Sequence, residues 1–339
     1  MELNSFEPDL QSSSVPQLSV ILVTPDQGQA LSRTIRSLRK QTIAHRLEIV
    51  VVAPSSDRLD LSPGEFDGFA NLLTVSVGEM HSVGAAYAAG VCAATAAVVA
   101  LGEDHSFPHP DWAERLVSAH QQPWAAVGPQ VCNANPGSSV ATADFLIAYG
   151  PWSESAMSGE VEHLPGHNSS YKRELLLAYG DSLASMLEAE SVLHWQLRQR
   201  GHKLYLETAA KTSHVNFSKL TSWATAQYYA GRMFAAYRAH NEHWTLVRRA
   251  GFTLAGPLIP WVRLQRILRQ RRGLPTKAPL FPFLLPALWF GLVLDGLGQM
   301  AGYARGEGVA SEKAFYFEFH RERHLRKSDR RMGASTHCV

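Results

Sequence analysis

Glu103-Asp104-His105 puts three side chains able to hold a divalent cation in consecutive positions, straight after the apolar run Val98-Val99-Ala100-Leu101. The run reads as a buried strand. Pro108, Pro110 and Trp112 then turn the chain into a new helix. At the carboxyl end of a parallel strand, such groups face the crevice where open α/β sheets bind ligands. A cation held there neutralises phosphate oxygens, so chemistry on a phosphorylated or nucleotide-linked substrate is expected. A second cluster, Gly166-His167-Asn168, joins a residue that permits close backbone approach to two that bond sugar or phosphate oxygens. A third, Glu188-Ala189-Glu190, offers carboxylates that can take a hydroxyl proton. Two positions apart on a helix they point different ways, so only one should enter a cleft.

The elements that must position these groups alternate. Apolar runs at 18–23, 47–52, 73–77, 98–101 and 125–131 read as strands. Between them, 29–41, 83–97 and 112–120 read as helices, the second rich in Ala and Gly for close packing on a sheet. Nearly wholly apolar strands alternating with helices predict a mostly parallel sheet covered on both faces. Residues 133–165 read as a long substrate-side loop with short elements. Residues 170–179 and 183–200 read as helices, the latter stopping at Gly201, and 203–206 as a short strand leading to His214.

The last third differs. Residues 221–243 predict a long helix, and 261–269 alternate apolar and basic residues at helical spacing. The most apolar stretch, 280–294, is interrupted by Pro282 and Pro286 and followed by Asp295. It falls short of the ~20 continuous apolar residues of a clean span. A monotopic or re-entrant membrane contact is expected, with arginines facing anionic lipid. The other reading is a helical subdomain packed on the catalytic core. The expected division is a loose arm over 1–16, an α/β domain over 17–220 and a helical region over 221–339.

The net charge of +2 in 339 residues does not suggest a nucleic-acid partner. Three cysteines far apart, Cys92, Cys132 and Cys338, show no metal spacing and fit a reducing compartment. The first residues carry no signal-peptide pattern. The expected location is the cytoplasmic face of the cell membrane.

The order of features from Leu18 to His214 resembles the inverting family 2 glycosyltransferases, which have the GT-A fold. Thr24-Pro25-Asp26 matches the turn after that family's first strand, and Glu103-Asp104-His105 stands at its Asp-x-Asp cation site. Pro108-x-Pro110-Asp111-Trp112 matches its Pro-x-Pro-x-Trp ending. Residues 164–173 fit its Gly-x-Asn acceptor-side segment. The resemblance implies transfer of a sugar from a nucleotide-sugar donor to a lipid-linked or polysaccharide acceptor, assisted by Mn²⁺ or Mg²⁺. It implies Glu103, His105 and His214 as cation ligands, and Asp104 as a ligand or a partner of the donor ribose or sugar. Thr24, Pro25, Asp26 and Asp57 would bind the donor, and Gly166, His167 and Asn168 the acceptor. Glu190 falls where the family carries its general base, with Glu188 as the fallback. A sugar nucleotidyltransferase is a weaker reading, since the turn after the first strand lacks a basic residue. A non-catalytic membrane-associated protein of the same fold is the third.

Overall fold

The computed structural model describes residues 15–26, 28, 30–60, 62–271 and 282–331. The strands are β1 (Leu18–Val23), β2 (Leu47–Ala53), β3 (Asn71–Ser76), β4 (Val98–Leu101) and β5 (Ser106–Pro108). They continue with β6 (Trp124–Asn133), β7 (Gly159–Val161), β8 (Ser170–Lys172) and β9 (Lys203–His214). Flanking the sheet in the first half are α1 (Leu31–Arg39), α2 (Val83–Ala93), α3 (Trp112–Ala119), α4 (Ser139–Tyr149) and α5 (Arg173–Leu177). Then come α6 (Leu183–Leu187), α7 (Glu190–Gln199), α8 (Leu220–Asn241), α9 (Leu246–Ala255), α10 (Ile259–Arg271), α11 (Leu284–Arg305) and α12 (Ala310–Phe319).

All strands join one sheet in the order β3-β2-β1-β4-β8-β6-β9-β5, with β7 also on β9. The expected parallel unit is present as β3-β2-β1-β4. Beyond β4 the sheet is mixed. β8 runs antiparallel to both β4 and β6 and joins the two halves, while β5 and β7 run antiparallel to β9. Residues 170–172 had read as helix. Three residues are too few to show a period, so only pairing with two neighbours reveals the strand.

Side chains alternate along each strand, which is why apolar runs build two cores. Ile21, Val23, Val50 and Val52 face one side, with Tyr87 and Val91 of α2 and Leu193 of α7. Val20, Leu22, Ile49 and Val51 face the other, with Leu31, Ile35 and Leu38 of α1 and Trp112 of α3. Each such side chain contributes about 1.5–3 kcal/mol when fully buried. The small residues of α2 serve close approach, as expected. A Cβ on Gly90 would lie 2.3 Å from Ile21 Cγ2 and one on Gly84 2.1 Å from the Ala184 carbonyl. One buried carboxylate, Glu48 in β2, accepts from Ser19, Thr95 and Asn71. Burial opposes its charge, but these bonds prevail and hold it below the usual range.

Three further expectations are corrected. The loop read over 133–165 contains α4, whose buried Asp144 accepts from Trp223, Gln227 and the Phe217 amide. The strand read at 203–206 continues to His214. The helix read over 183–200 is two helices broken at Ala189, whose φ of −142° and ψ of 75° are not helical.

In the last third, α8 and α11 pack along each other. Cβ atoms on Gly231, Gly298 and Gly302 would fall within 2.3 Å of backbone oxygens of the facing helix. Of the apolar stretch expected over 280–294, residues 280 and 281 lie outside the described residues, and from Leu284 on it belongs to a 22-residue helix, long and apolar enough by length and composition to cross a membrane. Its most apolar window is 44% buried against the protein. Asp295 is paired with Arg263 at 2.5 Å and accepts from Gln299. After α11 the chain returns through α12 to the carboxyl edge of the sheet.

Candidate active site

Glu103 follows β4 by one residue and is 1% exposed. Its backbone carbonyl accepts from Thr34 of α1 at 2.9 Å, which fixes the turn. Asn168 donates to Glu103 Oε2 at 2.7 Å and to Ser106 Oγ at 3.0 Å. Asn168 holds φ at +63°, a strained conformation for a residue other than glycine. The strain and the bonds together aim the Glu103 carboxylate.

Two imidazoles converge on that carboxylate. His105 Nε2 lies 3.7 Å from Oε1 and His214, the last residue of β9, lies 3.8 Å from Oε2. Each ring is held from behind. His105 Nδ1 lies 2.6 Å from Asp104 Oδ1 and His214 Nδ1 2.9 Å from Asn216 Oδ1. Both partners are acceptors there, because the Asn216 amide nitrogen is spent on Asn133 and the His214 carbonyl. The proton thus sits on each Nδ1, and each Nε2 presents a lone pair to Glu103, as imidazole ligands do when a second group orients them. His105 Nε2 and His214 Nε2 are both buried with no hydrogen-bond partner. Such orphaned atoms are costly unless an ion satisfies them. The set fits a divalent cation, and its two nitrogens suit Mn²⁺ better than Mg²⁺. Glu103, His105 and His214, distant in sequence, are brought together.

His167 bridges this cluster to the next. Its Nδ1 lies 2.8 Å from Glu103 Oε1 and its Nε2 3.3 Å from Glu190 Oε1. Burial opposes its charge, but Glu103 and Glu190 overcome that and raise it to about 10. Burial likewise opposes ionisation of Glu103, yet the charge and hydrogen bond of His167 hold it well below the usual carboxylate range. Burial pushes Glu190 up, against the pull of His167. Glu190 opens α7 with its carboxylate against Gly166, where a Cβ would meet its Cδ at 2.6 Å. Glu188 accepts from the Ser82 hydroxyl and from the Gly84 amide at the start of α2. Burial raises it to about 7 despite those bonds.

The break at Ala189 changes the expectation for this pair. One uninterrupted helix would have turned one carboxylate away, but both Glu188 and Glu190 line the same small cavity of about 140 Å³, with His167, Met233 and Phe317. Of the two, only Glu190 touches His167.

A larger cavity, about 390 Å³, opens beside the cation cluster. Asp26, Asp104 and His105 line it, together with Arg33, Arg36, Arg321 and Arg323. Asp26 is fixed by bonds from Thr24 and the Gly28 amide. Thr24 is thus buried behind Asp26, and neither it nor Pro25 lines the cavity. Asp57 is exposed beyond β2 and does not line it. Asn168, expected to meet the acceptor, is 2% exposed and spent on Glu103. The groups that sequence reasoning missed are the arginines and Glu318. Glu318 Oε1 lies 3.5 Å from His105 Nε2. Arg33 sits one turn from Arg36 on α1, a basic pair that was visible in the sequence; nothing local marked 318–323.

Residues 19–180 match the family model described as Glycosyl transferase family 2. Just under half of the chain is thus similar to the family 2 glycosyltransferases, on a mixed sheet flanked by helices. Among solved structures, it is similar to one described as GalNAc-T7 with UDP, GalNAc and Mn²⁺. That likeness has a TM-score of 0.44 and 16% identity, over 59% of this chain and 44% of that one. No curated protein sequence matches the chain.

Proposed function

We propose that this protein is an inverting, metal-assisted glycosyltransferase that moves a hexose from a nucleotide-sugar donor to a lipid-linked or polysaccharide acceptor. The observation that carries this reading is the pairing of a cation cluster holding orphaned imidazole nitrogens with the half-buried Glu190 carboxylate across one imidazole. A divalent cation bound by Glu103, His105 and His214 would supply Lewis-acid stabilisation of the departing diphosphate. The arginine-lined cavity next to it suits a diphosphate, with Arg321 and Arg323 opposite Arg33 and Arg36. Asp26 and Asp104 in the same cavity suit hydroxyls of the donor.

Glu190 then takes the proton of the attacking hydroxyl. Burial raises its pKa above the ordinary carboxylate value, which strengthens it as a base. His167 fixes that carboxylate and balances its charge, and Gly166 leaves room for it. Inversion is what the family resemblance implies, with Glu190 as the base of a single displacement.

The apolar surface supports a membrane-bound setting. Among the described residues, ten of the sixteen exposed large hydrophobic side chains fall between 246 and 297, including Leu246, Leu254, Trp261 and Phe283. Arg248, Arg266 and Arg269 are exposed in the same stretch. Apolar anchors with interspersed arginines favour contact with an anionic surface. The partly buried α11 fits a helix lying on the membrane better than one crossing it alone. This setting would bring a lipid-linked acceptor to the site.

The test incubates the full chain with Mn²⁺ and a panel of nucleotide sugars, reading release of nucleoside diphosphate. Turnover with at least one donor is expected, and Glu190→Gln should lower it at least 1,000-fold while donor affinity stays within about threefold. Equal loss of both would move the base elsewhere. A folded protein that binds no nucleoside diphosphate would support the non-catalytic reading instead.

A further inference from the structure

We propose that Glu318, carried by α12 far outside the family-matched residues, is a ligand of the cation, so that the C-terminal segment completes the site. This rests on the reading that Glu103, His105 and His214 hold that cation.

The geometry is specific. Glu318 is split between two tasks. Its Oε2 accepts from Arg321 at 2.9 Å, one turn along the same segment. Arg321 is itself buried and lies over the Phe217 ring at 3.8 Å, so the pair is locked in place. The other oxygen, Oε1, is buried without a hydrogen-bond partner. It points at His105 Nε2, 3.5 Å away, and lies 3.8 Å from His167 Nδ1. Glu318, Glu103 and His167 offer ligand atoms within 4.8 Å of one another, and so do Glu103, His105 and His214. Glu103 is common to both groups.

Spacing decides what this cluster is for. Ligands about 2.1 Å from one ion stand about 3.0–3.4 Å apart in octahedral or tetrahedral arrangement. The 3.5 Å between Glu318 Oε1 and His105 Nε2 and the 3.7 Å between that nitrogen and Glu103 Oε1 need only a few tenths of an ångström of contraction. An ion in that gap would satisfy two orphaned atoms, His105 Nε2 and Glu318 Oε1, at once. The consequence is structural as well as chemical. The ion would tie β4 and β9 to α12, which also places Arg321 and Arg323 against the donor cavity.

The experiment uses the full chain and Mn²⁺ alone. Free Mn²⁺ is measured by electron paramagnetic resonance during titration of wild type, Glu318→Gln, Glu103→Gln and the surface control Glu312→Gln. Glu318→Gln is expected to weaken Mn²⁺ binding 10- to 100-fold, Glu103→Gln to abolish it and Glu312→Gln to leave it unchanged. In parallel, hydrogen exchange on wild type should show Mn²⁺ slowing the amides of 310–325 as well as those around Glu103. This second measurement holds even where the variant fails to fold. Wild-type affinity in Glu318→Gln, or protection around Glu103 with none in 310–325, overturns the proposal and leaves the three-ligand cation reading standing. No Mn²⁺ binding by wild type overturns both.

Discussion

Gly166→Ala isolates the base from everything else in the site. A Cβ at this position would lie 2.6 Å from Glu190 Cδ, 2.7 Å from Oε1 and 2.9 Å from Oε2, whereas ordinary contact begins near 3.4 Å. The carboxylate must therefore retreat by about 0.8 Å, the difference between 2.6 and 3.4 Å. It can do so, because it is the far end of a flexible side chain, and Gly166 has no left-handed φ that alanine would strain. Folding should survive and the base should be misplaced. A misplacement of about 1 Å can cost ~100-fold in rate, so kcat should fall about 10- to 100-fold, or ~1.4–2.7 kcal/mol of barrier. The assay compares kcat, donor KM and Mn²⁺ affinity of the two proteins. Donor KM and Mn²⁺ affinity should stay within about threefold, because Glu103 and His105 do not touch the new methyl group. A kcat within twofold of wild type would refute the assignment of Glu190 as base, as would a matching loss of Mn²⁺ binding.

Two other outcomes follow from burial and charge. Glu188 has its pKa raised from 4.5 to about 7 by burial, against the bonds from Ser82 and Gly84. The folded state then holds a proton that the unfolded chain loses above 4.5, so this residue's penalty grows as pH rises through that window, to about 3 kcal/mol. Urea unfolding of Glu188→Gln and wild type at pH 5 and pH 8 should show the variant gaining on wild type at the higher pH; a constant difference would contradict the buried-acid argument. On the surface, Leu254→Glu, Trp261→Glu and Phe283→Glu combined should reduce flotation with anionic phospholipid vesicles more than 100-fold, since each apolar side chain contributes about 1.5–3 kcal/mol when buried. Unchanged flotation of the triple variant would move the contact off this face.

The parallel unit was legible because strands covered on both faces must be nearly wholly apolar, and β1, β2 and β4 are, apart from Ser19 and Glu48. The cation pair was legible for a local reason as well. Glu103 and His105 lie two residues apart in the turn that leaves such a strand, so their nearness needed no tertiary contact. His214 and Glu190 came through the resemblance, which preserves order along the chain.

What only the tertiary structure decided is the result of contacts between distant segments. The helix broken at Ala189 has no proline or glycine to announce it. Its cause is Glu188, held by Ser82 and Gly84 more than 100 residues earlier. That lock brings Glu188 and Glu190 to one cavity. The same holds for α12, where Glu318, Arg321 and Arg323 look like surface charges on a short helix and its exit. Their place at the site, and the burial of Arg321, come from the packing of α8 and α11, which returns the chain to the sheet edge. Periodicity reports which face of an element is apolar; it carries no information about which remote element will cover that face, and in this protein that pairing determines which charges reach the site.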